Sequence, residues 1–231
     1  MPDKTIFTIR PDTTTKTSAV TIQKWGGLAS FLMVVAFIVP LFIYLTGNLQ
    51  EANGPLAYAL ADFLSGPVWA ASLVTAVYAL RERIGERAPR RMTLALLIAL
   101  LAAAAMVSVA CIRSANRHYH LIHPELHLEE STMVLVVWTT LVAGLTATGW
   151  HFLGWAYVLL GWAGWTSRRL PRVLSGLYLG GGLVSMFVYV LPDTEGLAMT
   201  LGMVVSIWQG ILLWKAEPGE RQVPEKIAGV C

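Results

Sequence analysis

Long apolar runs constrain this chain more than any other feature of its sequence. Five of them cover residues 25–46, 63–80, 92–112, 173–191 and 196–214. A helix needs about 20 mainly apolar residues to cross a hydrocarbon core of about 30 Å, so each run has a suitable length. Charged residues make up only 13% of the chain, about half the share of a soluble domain. We therefore predict an all-α bundle of membrane-spanning helices.

A further apolar segment, residues 132–166, contains no Asp, Glu, Lys or Arg over 35 residues. As one helix with a rise of 1.5 Å per residue it would extend about 52 Å, which is more than one ordinary crossing needs. As two spans of about 17 residues, each would be barely long enough. Length alone therefore allows one crossing or two.

The distribution of basic residues favours one crossing. Six spans put fifteen of the seventeen Lys and Arg residues on the side of both termini, whereas seven spans give a split of nine to eight. Because basic residues concentrate in cytoplasmic loops, we predict six spans with both termini in the cytoplasm. Polar cytoplasmic tails at 1–24 and 215–231 then flank one membrane domain at 25–214. We expect a multi-pass protein of a bacterial inner membrane.

The surplus length of segment 132–166 then needs a place outside the bilayer core. We expect residues 132–145 to form a short helix in the outer interface. A break near 144–149 would follow, before the true fourth span at 148–166. β-branched residues open the segment and a Gly/Thr cluster follows them, a pattern that favours a break over a continuous rod.

The last third of the chain carries a motif within "GWAGWTSRRLPRVLSGLYLGGGL". Its elements are Gly161, Ser167, Pro171, Arg172 and Gly182. In this the chain resembles a family of small bacterial multi-span membrane proteins known as a domain of unknown function. It departs from the family's pattern at Ser175, where Gly is usual, and at Ser185, where Tyr is usual. The resemblance implies an all-helical fold of about six spans and implies no activity.

The stretch "NRHYHLIHPELHLEEST" between the third and fourth spans holds four of the five histidines. Imidazole and carboxylate groups both bind divalent metals such as Zn²⁺. Pro124 disfavours a helical conformation at the residue before it, so a helical ligand face would be interrupted. A metal site, a pH-responsive site and a solvated acidic loop therefore all stay open. The candidate ligands are His118, His120, His123, Glu125 and His127.

His151 is the one ionisable residue expected well inside a span, and such residues suggest a functional role. Gly149 and Gly154 lie near it and leave room for a planar ring. It could therefore bind a single-ligand haem or pigment. The alternative is a structural histidine that bonds to a neighbouring helix.

Three further groups of residues have expected roles in helix packing or membrane anchoring. Small residues let helix backbones approach closely, within one chain or across a homodimer. Basic residues beside a span bind lipid headgroups, and an Asp62–Arg113 pair would connect the second and third spans. The expected packing residues are Gly154, Gly161, Gly176, Gly180 and Gly182, and the expected headgroup anchors are Arg168, Arg169 and Arg172.

The spans lack the side chains that several membrane functions require. Because no Asp, Glu, Lys or Arg lies deep in a span, a proton- or sodium-driven transporter is disfavoured. We expect a non-catalytic accessory or scaffold subunit, or a binder of a lipophilic molecule. Its partners would be lipid and other membrane subunits or a second copy, and not nucleic acid. The alternatives are a metal-dependent enzyme or sensor at the histidine-rich loop, and a passive transporter of a neutral or amphipathic solute.

A reporter fused after Cys231 tests the predicted topology. With six spans the fusion faces the cytoplasm, so a fluorescent protein fluoresces there and alkaline phosphatase stays inactive. Alkaline phosphatase inserted into the histidine-rich loop is the positive control and should be active. An active phosphatase at the carboxyl terminus, with a cytoplasmic amino terminus, would contradict an even number of crossings.

Overall fold

Every regular element in the described part of the chain is helical. The computed structural model of the chain describes residues 13–47, 54–122 and 128–215. The all-α prediction is confirmed for these residues. The helices are α1 (Thr13–Thr46), α2 (Gly54–Phe63), α3 (Trp69–Ile84), α4 (Pro89–Ile122), α5 (Leu128–Ser167), α6 (Arg172–Phe187) and α7 (Glu195–Trp214).

Two short turns of other helix types complete this order. A π-helical turn, Leu64–Val68, joins α2 to α3 and contains Pro67. A 3₁₀ turn, Pro192–Thr194, leads into α7. Proline cannot donate the regular backbone hydrogen bond, so its place within a π turn fits the altered bonding there.

Among the described residues, five helical stretches are long and apolar enough to cross a membrane, so this is a multi-pass membrane protein. The stretches are Thr21–Thr46, Gly54–Ile84, Pro89–His118, Met133–Ser167 and Pro192–Trp214. Four of them contain the predicted runs 25–46, 63–80, 92–112 and 196–214, whereas Met133–Ser167 comes from the ambiguous segment. The fifth predicted run corresponds to α6, an apolar helix of 16 residues that is shorter than the others.

The helices form a closed ring in which each packs on its neighbours in sequence. The α2–α3 rod contacts α1 and α4, α5 packs between α4 and α6, and α7 packs on both α6 and α1. Short connections make sequence neighbours antiparallel neighbours in space. The ring closes between α1 and α7, where a Cβ built on Gly27 would lie 3.2 Å from the backbone nitrogen of Trp214. The beginning of α1 and the end of α7 therefore lie at the same end of the bundle.

Aromatic side chains fill part of the ring's interior. The Phe37 ring of α1 stacks on the Trp150 ring of α5, with centroids 6.1 Å apart and planes 4° apart. Its centroid also lies 5.6 Å from that of Trp69 on α3. Helices on opposite sides of the ring therefore contact each other directly at this level.

The two ends of the bundle differ in charge. One end, called the basic end below, carries ten basic residues and two acidic ones: Lys24, Arg81, Arg83, Arg87, Arg90, Arg91, Arg168, Arg169, Arg172 and Lys215, with Glu82 and Glu86. The opposite end, called the far end below, carries Asp62, Arg113, Arg117, Asp193 and Glu195.

α5 is one continuous helix of 40 residues. The predicted break near 144–149 and the separate interfacial helix at 132–145 are therefore wrong. The segment has no proline to interrupt it, and its threonines do not disrupt the helix because their hydroxyls bond to carbonyls of the preceding turn. These bonds are Thr139 to Leu135 (2.7 Å), Thr140 to Val136 (2.8 Å) and Thr148 to Gly144 (2.8 Å).

α4 and α5 pack antiparallel along most of their length. At the basic end, the Arg91 guanidinium donates to the Thr166 hydroxyl over 2.8 Å. Near the middle, a Cβ built on Gly149 would lie 3.2 Å from the sulfur of Met106. The predicted break thus coincides with a position where a glycine of the continuous helix packs against α4.

At the far end of the bundle, α5 extends beyond α6 and α7. The Trp150 indole nitrogen donates to a carboxylate oxygen of Glu195, the first residue of α7, over 3.0 Å. The Tyr189 ring, just past the end of α6, lies 6.4 Å from the His151 ring. Residues 133–149 of α5 therefore extend beyond α6 and α7 by about 25 Å at 1.5 Å per residue.

Three of the five predicted packing glycines lie in the α5–α6 seam. A Cβ built on Gly154 would lie 2.6 Å from the Gly182 carbonyl oxygen, and one built on Gly161 would lie 2.8 Å from the Ser175 carbonyl oxygen. Gly182 makes the reciprocal close approach to Gly154. Gly176 and Gly180 have no atom within 4 Å of such a Cβ and do not contribute to this seam. The homodimer alternative for these glycines stays a prediction.

Alanine at Gly154 should destabilise the protein, because its methyl group would overlap backbone that cannot easily move. We expect Gly154→Ala to lower the free energy of unfolding by about 1–3 kcal/mol. Gly180→Ala is the matched control and should be neutral or stabilising, by up to about 1 kcal/mol, since alanine favours a helix. Thermal unfolding in detergent, followed by circular dichroism, measures both. Equal transition temperatures for the two variants would contradict the seam.

Candidate functional site

A buried carboxylate lies at the far end, where three helices meet. Asp62, near the end of α2, is only 3% exposed. It accepts a hydrogen bond of 2.5 Å from the Tyr44 hydroxyl of α1 and forms an ion pair with Arg117 of α4. The Arg113 guanidinium of α4 lies over the Tyr44 ring, 5.7 Å from its centroid. We call Tyr44, Asp62, Arg113 and Arg117 the Asp62 cluster.

The predicted Asp62–Arg113 pair is wrong, because Arg117 is the partner of the carboxylate. The Tyr44 ring faces Arg113, whose guanidinium stacks on the face of that ring instead. Arg117 lies one helical turn further along α4 and on the same face, so it reaches the carboxylate. The contact of Arg113 with the Tyr44 ring contributes about 0.5–1 kcal/mol, as is typical of a guanidinium over an aromatic ring. The Arg117–Asp62 pair has a different effect, because it neutralises the charge of a buried carboxylate.

The π-helical turn Leu64–Val68 separates Asp62 from a second buried polar group. Trp69 is 1% exposed, and its indole N–H has no hydrogen-bond partner. A Cβ built on Gly66 in this turn would lie 2.3 Å from the Ala110 methyl group, so the turn approaches α4 closely. Isolated π turns within α-helices frequently mark functional sites.

A second set of polar groups lies inside the ring. The Tyr178 hydroxyl of α6 donates to the side-chain carbonyl of Gln209 on α7. The Gln209 amide nitrogen donates to the Ala76 carbonyl of α3 over 3.2 Å. The Tyr157 ring of α5 meets the Tyr178 ring edge-on, with centroids 5.2 Å apart. This set connects four helices, and we call Tyr157, Tyr178 and Gln209 the interior polar set.

Sequence reasoning missed the interior polar set because it considered only ionisable groups within the spans. Gln209 carries no charge, yet its amide has two donors and an acceptor that must be satisfied inside the bundle. A glutamine within the apolar run "GMVVSIWQGILLW" was the available signal. In hydrocarbon, a polar side chain of this kind bonds across to another helix.

His151 bonds to its own helix. The Trp155 indole nitrogen, one turn further along α5, donates to His151 Nε2 over 3.2 Å. His151 Nδ1 is buried and has no hydrogen-bond partner. A haem or pigment could bind Nε2 only if the bond from Trp155 broke.

The structure describes only part of the proposed metal site. His118 lies exposed near the end of α4, and His120 falls in the last turn of that helix. His123, Glu125 and His127 lie outside the described residues. Within residues 13–47, 54–122 and 128–215, no three His, Cys, Asp or Glu residues form a group that could hold a metal ion. The metal site at this loop stays a prediction.

Three arginines spaced four residues apart connect helices at the basic end. The Arg83 guanidinium donates to the Leu212 carbonyl of α7 over 3.1 Å, and that of Arg87 donates to the Ser167 carbonyl of α5 over 3.0 Å. Arg91 lies over the Trp162 ring of α5, 4.1 Å from its centroid. The last carbonyls of a helix have no partner within it, so Arg83 and Arg87 bond groups that would otherwise be unsatisfied. In the sequence these arginines are recognisable only as charges beside an apolar run.

The predicted headgroup anchors lie in the α5–α6 connection. Arg168 has a φ of 55°, a left-handed conformation that ends α5. Arg168 and Arg172 are exposed, and Arg169 is half-buried. Their guanidinium groups at the basic end can therefore reach a headgroup layer.

No family model, curated protein or solved structure matches this chain. The resemblance to a bacterial family of unknown function stays a prediction.

The Asp62 cluster and the interior polar set share one chemical property. Their polar groups bond across helices with partners from the same chain. Such an arrangement fixes the positions of helices. It therefore favours a structural contribution over chemistry on a substrate.

A double-mutant cycle tests the ion pair of the Asp62 cluster. Asp62→Asn and Arg117→Met should each lower the free energy of unfolding by about 3 kcal/mol, because each leaves a buried charge unpaired. The double variant should lose less than the sum of the two. Arg113→Met is the control and should cost about 1 kcal/mol or less. Stronger coupling of Asp62 to Arg113 than to Arg117 in unfolding experiments would contradict the assignment.

Proposed function

We propose that the protein is a non-catalytic scaffold subunit of a membrane assembly, with six spans and cytoplasmic termini in a bacterial inner membrane. One observation supports the scaffold role more than any other. The far half of α5, residues 133–148, presents an apolar surface that the rest of the described chain leaves uncovered. Met133, Val136 and Val137 are 75%, 59% and 61% exposed.

The length of α5 supports a position of this surface outside the hydrocarbon core. Twenty residues counted back from Ser167, at the basic end, reach Thr148, and this length crosses about 30 Å. Glu195 bonds to Trp150 near the same level. In the α4–α5 register set by the contact of Met106 with Gly149, Arg113 lies near the level of residue 142. Charged residues of neighbouring helices therefore occur where the core should end.

An apolar helix surface in or beyond the headgroup layer is unfavourable unless it is covered. Burial of apolar surface contributes about 25 cal/mol per Å², and large contiguous apolar patches mark interaction sites. Residues 133–148 include no Asp, Glu, Lys or Arg that would solvate the surface. A partner that covers the far half of α5 would remove this cost.

The form of the surface favours a helix as the partner. Thr140, Gly144 and Thr148 are spaced four residues apart and lie on one face, and a Cβ built on Gly144 would meet no atom within 4 Å. Small residues at this spacing allow another helix to approach closely. The partner would be a helix of a second copy or of another membrane subunit. Its pairing with α5 is the scaffold function that we propose.

Photo-cross-linking in native membranes tests this role. A benzophenone amino acid in place of Val137 should give a discrete protein adduct, because a partner helix covers that position. The same substitution at Leu97, which is 54% exposed on α4, is the matched control and should give lipid adducts only. Two differently tagged copies distinguish a second copy from another subunit. Absence of protein adducts at Val137, or equal adducts at both positions, would contradict the proposal.

A further inference from the structure

A groove runs along the seam where the first and last helices close the ring. Its walls are formed by Leu28 and Phe31 of α1 and by Ile211 and Trp214 of α7, with Lys215 following. The groove has a volume of about 420 Å³. The apolar wall residues are between 36% and 54% exposed, so the groove is open on the outer surface of the bundle.

Close backbone approach beneath the groove explains its shape. A Cβ built on Gly27 would lie 3.2 Å from the Gly210 carbonyl oxygen, and one built on Gly210 would lie 3.0 Å from the Phe31 ring. The two helices therefore meet at small residues. The larger side chains diverge on the exposed side of the seam, and the groove lies between them.

Two lysines give the groove a charged mouth at the basic end. Lys215 lines the groove directly. Lys24 lies one helical turn before Leu28, on the same face of α1, and both lysines are exposed. In the part of the chain that the structure describes, neither ammonium group takes part in an ion pair. The exposed indoles of Trp25 and Trp214 lie beside them, as expected of residues at a headgroup layer.

We propose that this groove binds one anionic phospholipid. An acyl chain would lie against Leu28, Phe31 and Ile211, and the phosphate would contact the ammonium groups of Lys24 and Lys215. Charge complementarity favours an anionic headgroup over a zwitterionic one, because lysine ammonium groups near a membrane surface attract anionic lipid. The groove of about 420 Å³ has apolar walls and ends at a lysine, so an amphipathic lipid fits its chemistry.

The bound lipid would stabilise the closure of the ring. No connection in the chain joins α1 directly to α7, so this seam is held by non-covalent contacts alone. A ligand that contacts both helices and binds only the folded state raises its stability. This inference goes beyond the scaffold role and does not depend on it, since the α5 surface and this groove lie on different helices.

Thermal unfolding of the full-length protein in detergent, with defined lipids added, tests the proposal. Phosphatidylglycerol should raise the unfolding temperature by several degrees, because it binds only the folded state. Phosphatidylcholine with the same chains should raise it much less. Glycerol phosphate, which has the headgroup charge without an acyl chain, should have no effect. Equal shifts with the two phospholipids would overturn the proposal.

Two sets of substitutions in the groove test whether the lipid binds there. Lys24→Ala combined with Lys215→Ala should reduce the phosphatidylglycerol adduct in native mass spectrometry about tenfold or more, since two headgroup contacts are lost. Ile211→Trp should also reduce it by filling the groove, and the exposed position allows the larger side chain without disturbing the core. Arg169→Ala combined with Arg172→Ala removes two charges elsewhere at the basic end and should leave the adduct unchanged. An adduct that survives in both groove variants, or falls equally in the arginine control, would overturn the assignment.

Discussion

The backbone's need for hydrogen bonds inside a hydrocarbon medium is the constraint on which this structure depends. Water is absent from the bilayer core, so each spanning segment must satisfy its own N–H and C=O groups, and a helix does this within one segment. The seven helices and two short turns in the described part of the chain follow from it. Where the helices end, groups without partners are bonded by other chain segments, as when Arg87 donates to the Ser167 carbonyl at the end of α5. The same constraint explains why the threonines of α5 bond to carbonyls of their own helix, which stays continuous.

Because lipid tails are as apolar as leucine, hydrophobic burial does little to choose which helices pack together in a bilayer. Close approach of small residues and hydrogen bonds between helices then decide the arrangement. Gly154 and Gly182 supply the close approach between α5 and α6. Gln209 bonds to both α3 and α6 across the interior, and Asp62 connects α2 to α1 and α4. The ring is thus held by a few specific contacts. A lipid bound at the α1–α7 seam, as proposed above, would stabilise the closure of the ring.

The unequal lengths of the helices give the molecule its proposed role. α6 has 16 residues and α7 has 20, whereas α5 has 40, so the far end of the bundle is incomplete around α5. Residues 133–148 of this continuous helix carry no charged side chain and extend past α6 and α7, so they leave a surface that the described chain does not cover. The scaffold proposal follows from this mismatch, and the lipid proposal follows from a separate groove near the basic end.

The amino-acid sequence by itself determined the helical class and the approximate position of most spans, because apolar length and the absence of charge are local properties. It also identified the glycines at 154, 161 and 182, but it could not separate them from those at 176 and 180. A break within α5 and an Asp62–Arg113 pair were predicted from the sequence and are wrong, and the role of Gln209 was not predicted. Each of these depends on the rotation and register of helices against one another, which no short segment encodes.

The tertiary structure alone decided that α5 is continuous, that Arg117 reaches Asp62 while Tyr44 faces Arg113, and that α1 and α7 meet with a groove between them. The physical reason is that a side chain's partner is set by which helix faces it, and that choice is made only when the whole ring packs.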